Sequence, residues 1–181
     1  MERLWAPWRM KYVTSADAAN ASGCVLCDAA RVRDHAEQLI LHRAAHSMTM
    51  MNLYPYTNGH VMVDPYRHVS DLSDLTDEER LELMVGATHA VVVMRQVLRC
   101  EANNVGMNLG RAAGAGIDAH LHLHVVPRWA GDTNYMAVIG DTRVISEALE
   151  ETYAKLRAAY VACGLVSLDD GARRQGDGEI R

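Results

Sequence analysis

Ala119-His120-Leu121-His122-Leu123-His124-Val125-Val126-Pro127-Arg128-Trp129 is the stretch on which the reading of this chain turns. Side chains on a β-strand point alternately to opposite faces, so Leu121, Leu123 and Val125 line one face and His120, His122 and His124 the other. The apolar face belongs to a core. The imidazoles then form a row with roughly 7 Å between neighbours, close enough for two of them to serve one substrate. An imidazole with an ordinary pKa near ~6.5 is neutral and nucleophilic at working pH, or protonated and able to donate to a leaving group. Three imidazoles are also the ligand set of a catalytic zinc whose bound water has a pKa near ~7. The pattern alone leaves both chemistries open.

Working outward, Asn104 to Leu109 has strand character and feeds the histidine strand through Gly110-Arg111-Ala112-Ala113-Gly114-Ala115-Gly116, read as a flexible loop. Upstream, Gln38 to His42, Ser47 to Asn52 and His60 to Pro65 read as short strands, with Asn58-Gly59 as the stronger turn signal between the last two. Thr76-Asp77-Glu78-Glu79 is a capping box, and Leu81, Met84, Val85, Thr88, Val91, Val92 and Val97 continue it at helical spacing to about Arg99. A second helix runs from Ser146 to Cys163, with acidic residues early, basic ones later and Gly164 placed to end it. Strands in a run, then helix, strand and helix, predict an α+β domain with an antiparallel sheet and helices on one face.

The chain has 181 residues, 49% of them hydrophobic, enough for one domain that buries roughly 70% of its unfolded surface. The domain is expected over residues 1–166, including an N-terminal arm with Trp5 and Trp8, and the Asp-, Gly-, Arg- and Gln-rich residues 167–181 read as a disordered tail. A net charge of -5 argues against a protein that coats nucleic acid, so an anionic ligand must meet a local cationic site. No apolar run is long enough to cross a bilayer and Met1 to Asn20 lacks the apolar stretch of a secretory signal, which makes the cytoplasm the expected location.

Cys24-Val25-Leu26-Cys27 has the spacing of half a structural zinc site, and is also compatible with a redox pair or buried thiols. Cys100 and Cys163, near helix ends, read as packing residues. His35, His42, His46 and His89 belong to no motif and are read as surface.

His120-Leu121-His122-Leu123-His124-Val125-Val126 resembles the His-φ-His-φ-His-φ-φ motif, φ being apolar, of the histidine triad superfamily of nucleotide hydrolases and transferases. Asn52, Gly59-His60, Pro65 and His68 fall where that family has its ribose-contacting residue and its Gly-His strand. Leu4-Trp5-Ala6-Pro7-Trp8-Arg9, the stretch Asn52 to His60 and His124 to Trp129 are similar to the dinucleoside-polyphosphate branch, with its bacterial diadenosine tetraphosphate phosphorylases and Fhit-like hydrolases. The likeness runs from about Leu4 to Tyr160.

The resemblance implies a histidine triad fold of about five antiparallel strands and two main helices, paired into a homodimer, and an enzyme that cleaves dinucleoside polyphosphates. His122 would attack the α-phosphorus, His124 would bond the phosphoryl oxygens or the leaving group, and His60 would fix ring orientations. Asn52 would bind the ribose hydroxyls, while Asn108 and the backbone at Gly116 would reach the phosphates. The resemblance also implies a structural zinc held by Cys24, Cys27, His68 and His120, which takes His120 out of the chemistry. Two neighbouring functions remain as alternatives: a nucleoside phosphoramidase or adenylyl-conjugate hydrolase, and a nucleotide-sensing adaptor. One departure stands out, because Gly116-Ile117-Asp118-Ala119 replaces the Gly-Gln-Ser/Thr-Val of many members and puts an acid near an anionic substrate. The third histidine, His124, separates the chain from the uridylyltransferase branch, which ends its triad with glutamine.

Overall fold

Short alternating runs can hide their apolar sides only by pairing, and here they pair into one sheet. Strands β1 (Ile40–Arg43), β2 (Ser47–Met51), β3 (Val61–Pro65), β4 (Ala102–Gly106) and β5 (Leu123–Arg128) lie in the order β1-β2-β3-β5-β4, all neighbours antiparallel. The computed structural model describes residues 23–32, 34–132 and 147–165, so the Trp5/Trp8 arm and the tail lie outside the described residues. The turn from β2 to β3 depends on Gly59, which holds φ at +79° and where a Cβ would sit 2.3 Å from Leu98 Cδ1. Glycine meets both conditions without strain, and the turn delivers His60 to the head of β3.

On one face lie two of the helices, α2 (Asp77–Val97) and α3 (Leu149–Ala162). At the start of α2 the Thr76 hydroxyl accepts from the Glu79 N–H at 3.3 Å and the Glu79 carboxylate accepts from the Thr76 N–H at 2.8 Å, the reciprocal bonds the sequence predicts. Arg67 adds an ion pair that holds Glu79 down at about 2. Gly164, at φ +67°, ends α3 as expected.

The buried side of α2 differs from the one its larger apolar residues predict. Leu81, Met84, Val85 and Val92 are 67%, 55%, 42% and 43% exposed, while Leu83, Gly86, Ala87, Ala90, Val93 and Met94 face the sheet. Close approach explains this. A Cβ at Gly86 would lie 2.8 Å from Val63 Cγ1, so the helix seats its small residues against β3 and leaves its bulkier ones outside.

The opposite face carries a short helix that the sequence reading did not foresee, α1 (Val25–Arg31). Leu26 and Ala29 bury against Ile40, Met48, Met50 and Met62, a contact of about 1.5–3 kcal/mol for the leucine alone. Arg43 of β1 fixes the helix end by donating to the carbonyls of Ala29, Ala30 and Val32 at 3.2, 2.9 and 2.7 Å. Cys24 and Cys27 are thereby pinned over the sheet.

Three smaller expectations also change. His35, His42 and His89 are half-buried, His42 standing between the rings of His89 and Tyr160, so only His46 of that group is a surface residue. Cys163 is exposed, whereas Cys100 is buried as expected. The glycine loop is a folded 3-10 turn over Arg111–Ala113, closed by Ala113 N–H to Gly110 O at 3.2 Å and Gly114 N–H to Arg111 O at 2.9 Å.

Candidate functional site

Leu121, Leu123 and Val125 join the core under α2 and α3, and His122 and His124 point the other way, as alternation requires. The rings of His122 and His124 stand closer than the roughly 7 Å between alternate residues along a strand, and regular pairing begins only at Leu123. Before it the chain bends, the His122 and His124 ring centres come to 4.7 Å at an angle of 86°, and His122 Nδ1–H donates to the His120 carbonyl at 2.8 Å. A carbonyl can only accept. The proton therefore sits on Nδ1 and the lone pair of His122 on Nε2.

A second chain of bonds sets His124 the opposite way. The Tyr56 backbone N–H donates to His60 Nδ1 at 3.1 Å, which leaves the His60 proton on Nε2, and that nitrogen lies 3.0 Å from His124 Nδ1. His124 then carries its own proton on Nε2, a buried atom with no partner among the described residues. Burial keeps both rings neutral: it lowers His122, with a smaller upward pull from the His120 carbonyl, and it lowers His124 to about 4 with help from the neighbouring His122.

Asn52 stands beside this relay, its Nδ2 3.4 Å from His60 Nδ1 and its Oδ1 accepting from the Tyr54 N–H at 2.9 Å. Sequence reasoning missed Tyr56, whose ring lies 4.6 Å from His60 and 5.7 Å from His124. An aromatic residue inside the turn from Asn52 to His60 was the available signal. Asn108 and Gly116 fall on the connection between β4 and β5 and are half-buried, and the Asn108 amide makes no hydrogen bond with the described residues. Asp118 accepts from Arg111 Nε at 2.9 Å, so the acid is paired rather than bare beside the histidines.

His120 turns away from the other two rings. Its Nε2–H donates to the Pro65 carbonyl at 2.9 Å, leaving the Nδ1 lone pair 3.2 Å from Cys24 Sγ and 3.4 Å from Cys27 Sγ, and His68 Nδ1 is 3.4 Å from Cys27 Sγ. All four ligand atoms lie within 4.8 Å of one another. Donors bound at about 2.0–2.3 Å to a tetrahedral ion sit roughly 3.3–3.8 Å apart, and the three sulfur-to-nitrogen separations of 3.2, 3.4 and 3.4 Å are close to that spacing. The donor set fits a metal chemically as well, since two thiols and two imidazole nitrogens are the ligands of a closed structural zinc site.

Next to this cluster lies Asp64, a second residue the sequence reading passed over. It is 0% exposed, and neither carboxylate oxygen has a hydrogen-bond partner among the described residues. Burial, and secondarily Cys24, raises its carboxyl well above the ordinary 3.8.

Residues 33–131 match the HIT domain family. The chain belongs to that family. This HIT protein is 41% identical over 158 residues to the AP-4-A phosphorylase of Mycobacterium tuberculosis, an overlap of 84% of this chain and 80% of the relative. It is 30% identical over 122 residues to the asymmetrical bis(5'-nucleosyl)-tetraphosphatase of Schizosaccharomyces pombe, covering 67% of this chain and 63% of that one. Among solved HIT structures, a Zn-bound histidine triad family protein from Mycobacterium smegmatis superposes with a TM-score of 0.64 at 25% identity, over 80% of this chain and 98% of the other. The HIT fold expected from the sequence is thus found. No helix among the described residues is long and apolar enough to cross a membrane.

Proposed function

We propose that this HIT protein is an enzyme that cleaves dinucleoside polyphosphates, such as diadenosine tetra- or triphosphate, through a nucleotidyl intermediate on His122. One observation carries the reading: adjacent rings hold opposite tautomers, a bare Nε2 on His122 and a protonated Nε2 on His124. The His122 Nε2 lone pair attacks the α-phosphorus, the bond from phosphorus to the bridging oxygen breaks, and the departing nucleoside polyphosphate is stabilised by the His124 Nε2–H. Water or inorganic phosphate then attacks the same phosphorus, the P–N bond breaks, and His122 is regenerated. His60 and the Tyr56 amide hold His124 in the donating tautomer, Asn52 takes the ribose hydroxyls, and Asn108 with the Gly116 backbone meets phosphate oxygens.

Cys24, Cys27, His68 and His120 would hold zinc. The ion would supply structural cross-linking, tying α1 to the chain ahead of β5. Reduced thiols of this kind suit a cytoplasmic protein. The exposed apolar side of α2, with Leu81, Met84, Val85 and Val92, supports a homodimer formed through that helix.

The test uses diadenosine tetraphosphate labelled at the α-phosphorus. Quench into alkaline denaturant during turnover, in which a histidine P–N bond survives, should leave label on His122, and product analysis with and without inorganic phosphate identifies the acceptor: ADP with ATP for phosphorolysis, AMP with ATP for hydrolysis. Label absent from the protein, or lodged on another residue, removes the reading.

A further inference from the structure

We infer that Arg111, oriented by Asp118, binds the phosphates beyond the scissile bond and so sets the preference for polyphosphate substrates over those with a single phosphorus. The inference rests on the proposed function and names a specificity-determining residue for it. Strand order lays out the site. Asn52 follows β2, His60 precedes β3, His124 stands on β5, and β4 is outermost. A nucleotide with its ribose at Asn52 and its α-phosphorus at His122 therefore runs its remaining phosphates toward β4 and the connection that follows it.

Register brings Arg111 to that place. Gly106 pairs with His124, so the chain leaves β4 level with the histidines, turns at Arg111–Ala113 and returns through Asp118 to His120. Arg111 and Asp118 lie on the outgoing and returning arms and bridge them at 2.9 Å. The backbone on the outgoing arm is held by Gly110 at φ +79°, Gly114 at φ +91° and the bonds of the 3-10 turn, so Arg111 starts from a fixed position.

Charge makes the assignment specific. The chain carries a net -5, so the phosphates of a substrate need a local cation. Arg128 on β5 is committed to Asp132 and Asn104, and Arg67 to Glu79 and the Asp74 carbonyl. Arg111 is 72% exposed, and Asp118 engages only its Nε. Both terminal nitrogens of the guanidinium remain without a hydrogen bond among the described residues, in the fork geometry that suits phosphate oxygens. Asp118 thus has a positioning role that accounts for an acid beside an anionic substrate.

The experiment compares kcat/KM for diadenosine tetraphosphate and for adenosine 5'-phosphoramidate, which has one phosphorus, in the full-length protein and in Arg111→Gln, Arg111→Lys and Asp118→Asn. Arg111→Gln should lose about 10- to 100-fold on the tetraphosphate and stay within about twofold on the phosphoramidate. Arg111→Lys should recover part of the loss, and Asp118→Asn should fall between. Equal losses on both substrates, or none on either, overturn the inference. A parallel measurement separates this outcome from failure of the proposed function. In a His122→Asn background the affinity ratio of diadenosine tetraphosphate to AMP should drop about 10-fold or more when Arg111 is replaced, whether or not the wild-type protein cleaves either compound. An unchanged ratio overturns the role of Arg111 by itself.

Discussion

His120 and His122 stand two residues apart in one repeating pattern, yet their surroundings give them different chemistry. His120 donates from Nε2 to Pro65 and offers Nδ1 to two thiols, whereas His122 donates from Nδ1 to the His120 carbonyl and offers Nε2 to the histidine pocket. The two rings are chemically identical. Which carbonyl each one meets decides which nitrogen keeps a lone pair, and so which ring suits a metal and which a phosphorus atom. One end of the motif is suited to holding the fold together, the other to turnover.

The largest effect should come from the reactive end. His122→Asn removes the attacking nitrogen and should lower kcat by about 10⁴- to 10⁶-fold, while thermal unfolding keeps the wild-type response to a chelator. Substantial turnover in that variant would erase the division between the two rings. At the other end, Cys24→Ser should abolish the chelator response of the melting temperature and lower stability by several kcal/mol, a fraction of the ~10–16 kcal/mol that zinc contributes to small zinc-dependent modules. If this variant melts like the wild type and still shifts with chelator, the cluster is not a structural metal centre.

A smaller effect sharpens the boundary between the two ends. Asp64 is buried without a hydrogen-bond partner among the described residues, so Asp64→Val should stabilise the metal-free protein by about 1–3 kcal/mol at neutral pH. An acid whose folded pKa lies above its unfolded value costs stability as pH rises past the unfolded value, here 3.8. The gain from the valine should therefore shrink as pH falls toward about 4. Denaturant unfolding at two pH values checks this, and a destabilised valine variant would mean that Asp64 has a partner in the metal-free state.

Much of the fold is legible in the sequence itself. Thr76 and Glu79 announce the start of α2 because a capping box depends on residues three apart, and Asn58-Gly59 announces its turn because few residues tolerate positive φ. The apolar side of the histidine strand was legible for the same reason, alternation being a local property. The buried side of α2 was not, since Gly86, Ala87 and Ala90 count for little in any hydrophobic pattern, and their value lies in letting the helix approach Val63. Helix α1 has no such local signal, because a segment this short is held by Arg43, a residue of another element.

Local spacing in the sequence determined the strands, the two long helices, the row of His120, His122 and His124 and the paired cysteines, because each of those signals is carried by residues near one another along the chain, while the candidacy of Asn52, His60 and His68 came from the resemblance to the histidine triad family. Only the tertiary structure decided which nitrogen of each ring bears a proton, that Tyr56 stands over the relay, that Arg111 meets Asp118, and that Asp64 is sealed in with no hydrogen-bond partner among the described residues. These depend on hydrogen bonds and burial between segments far apart in sequence, and a one-dimensional pattern holds no information about which carbonyl a given imidazole will face.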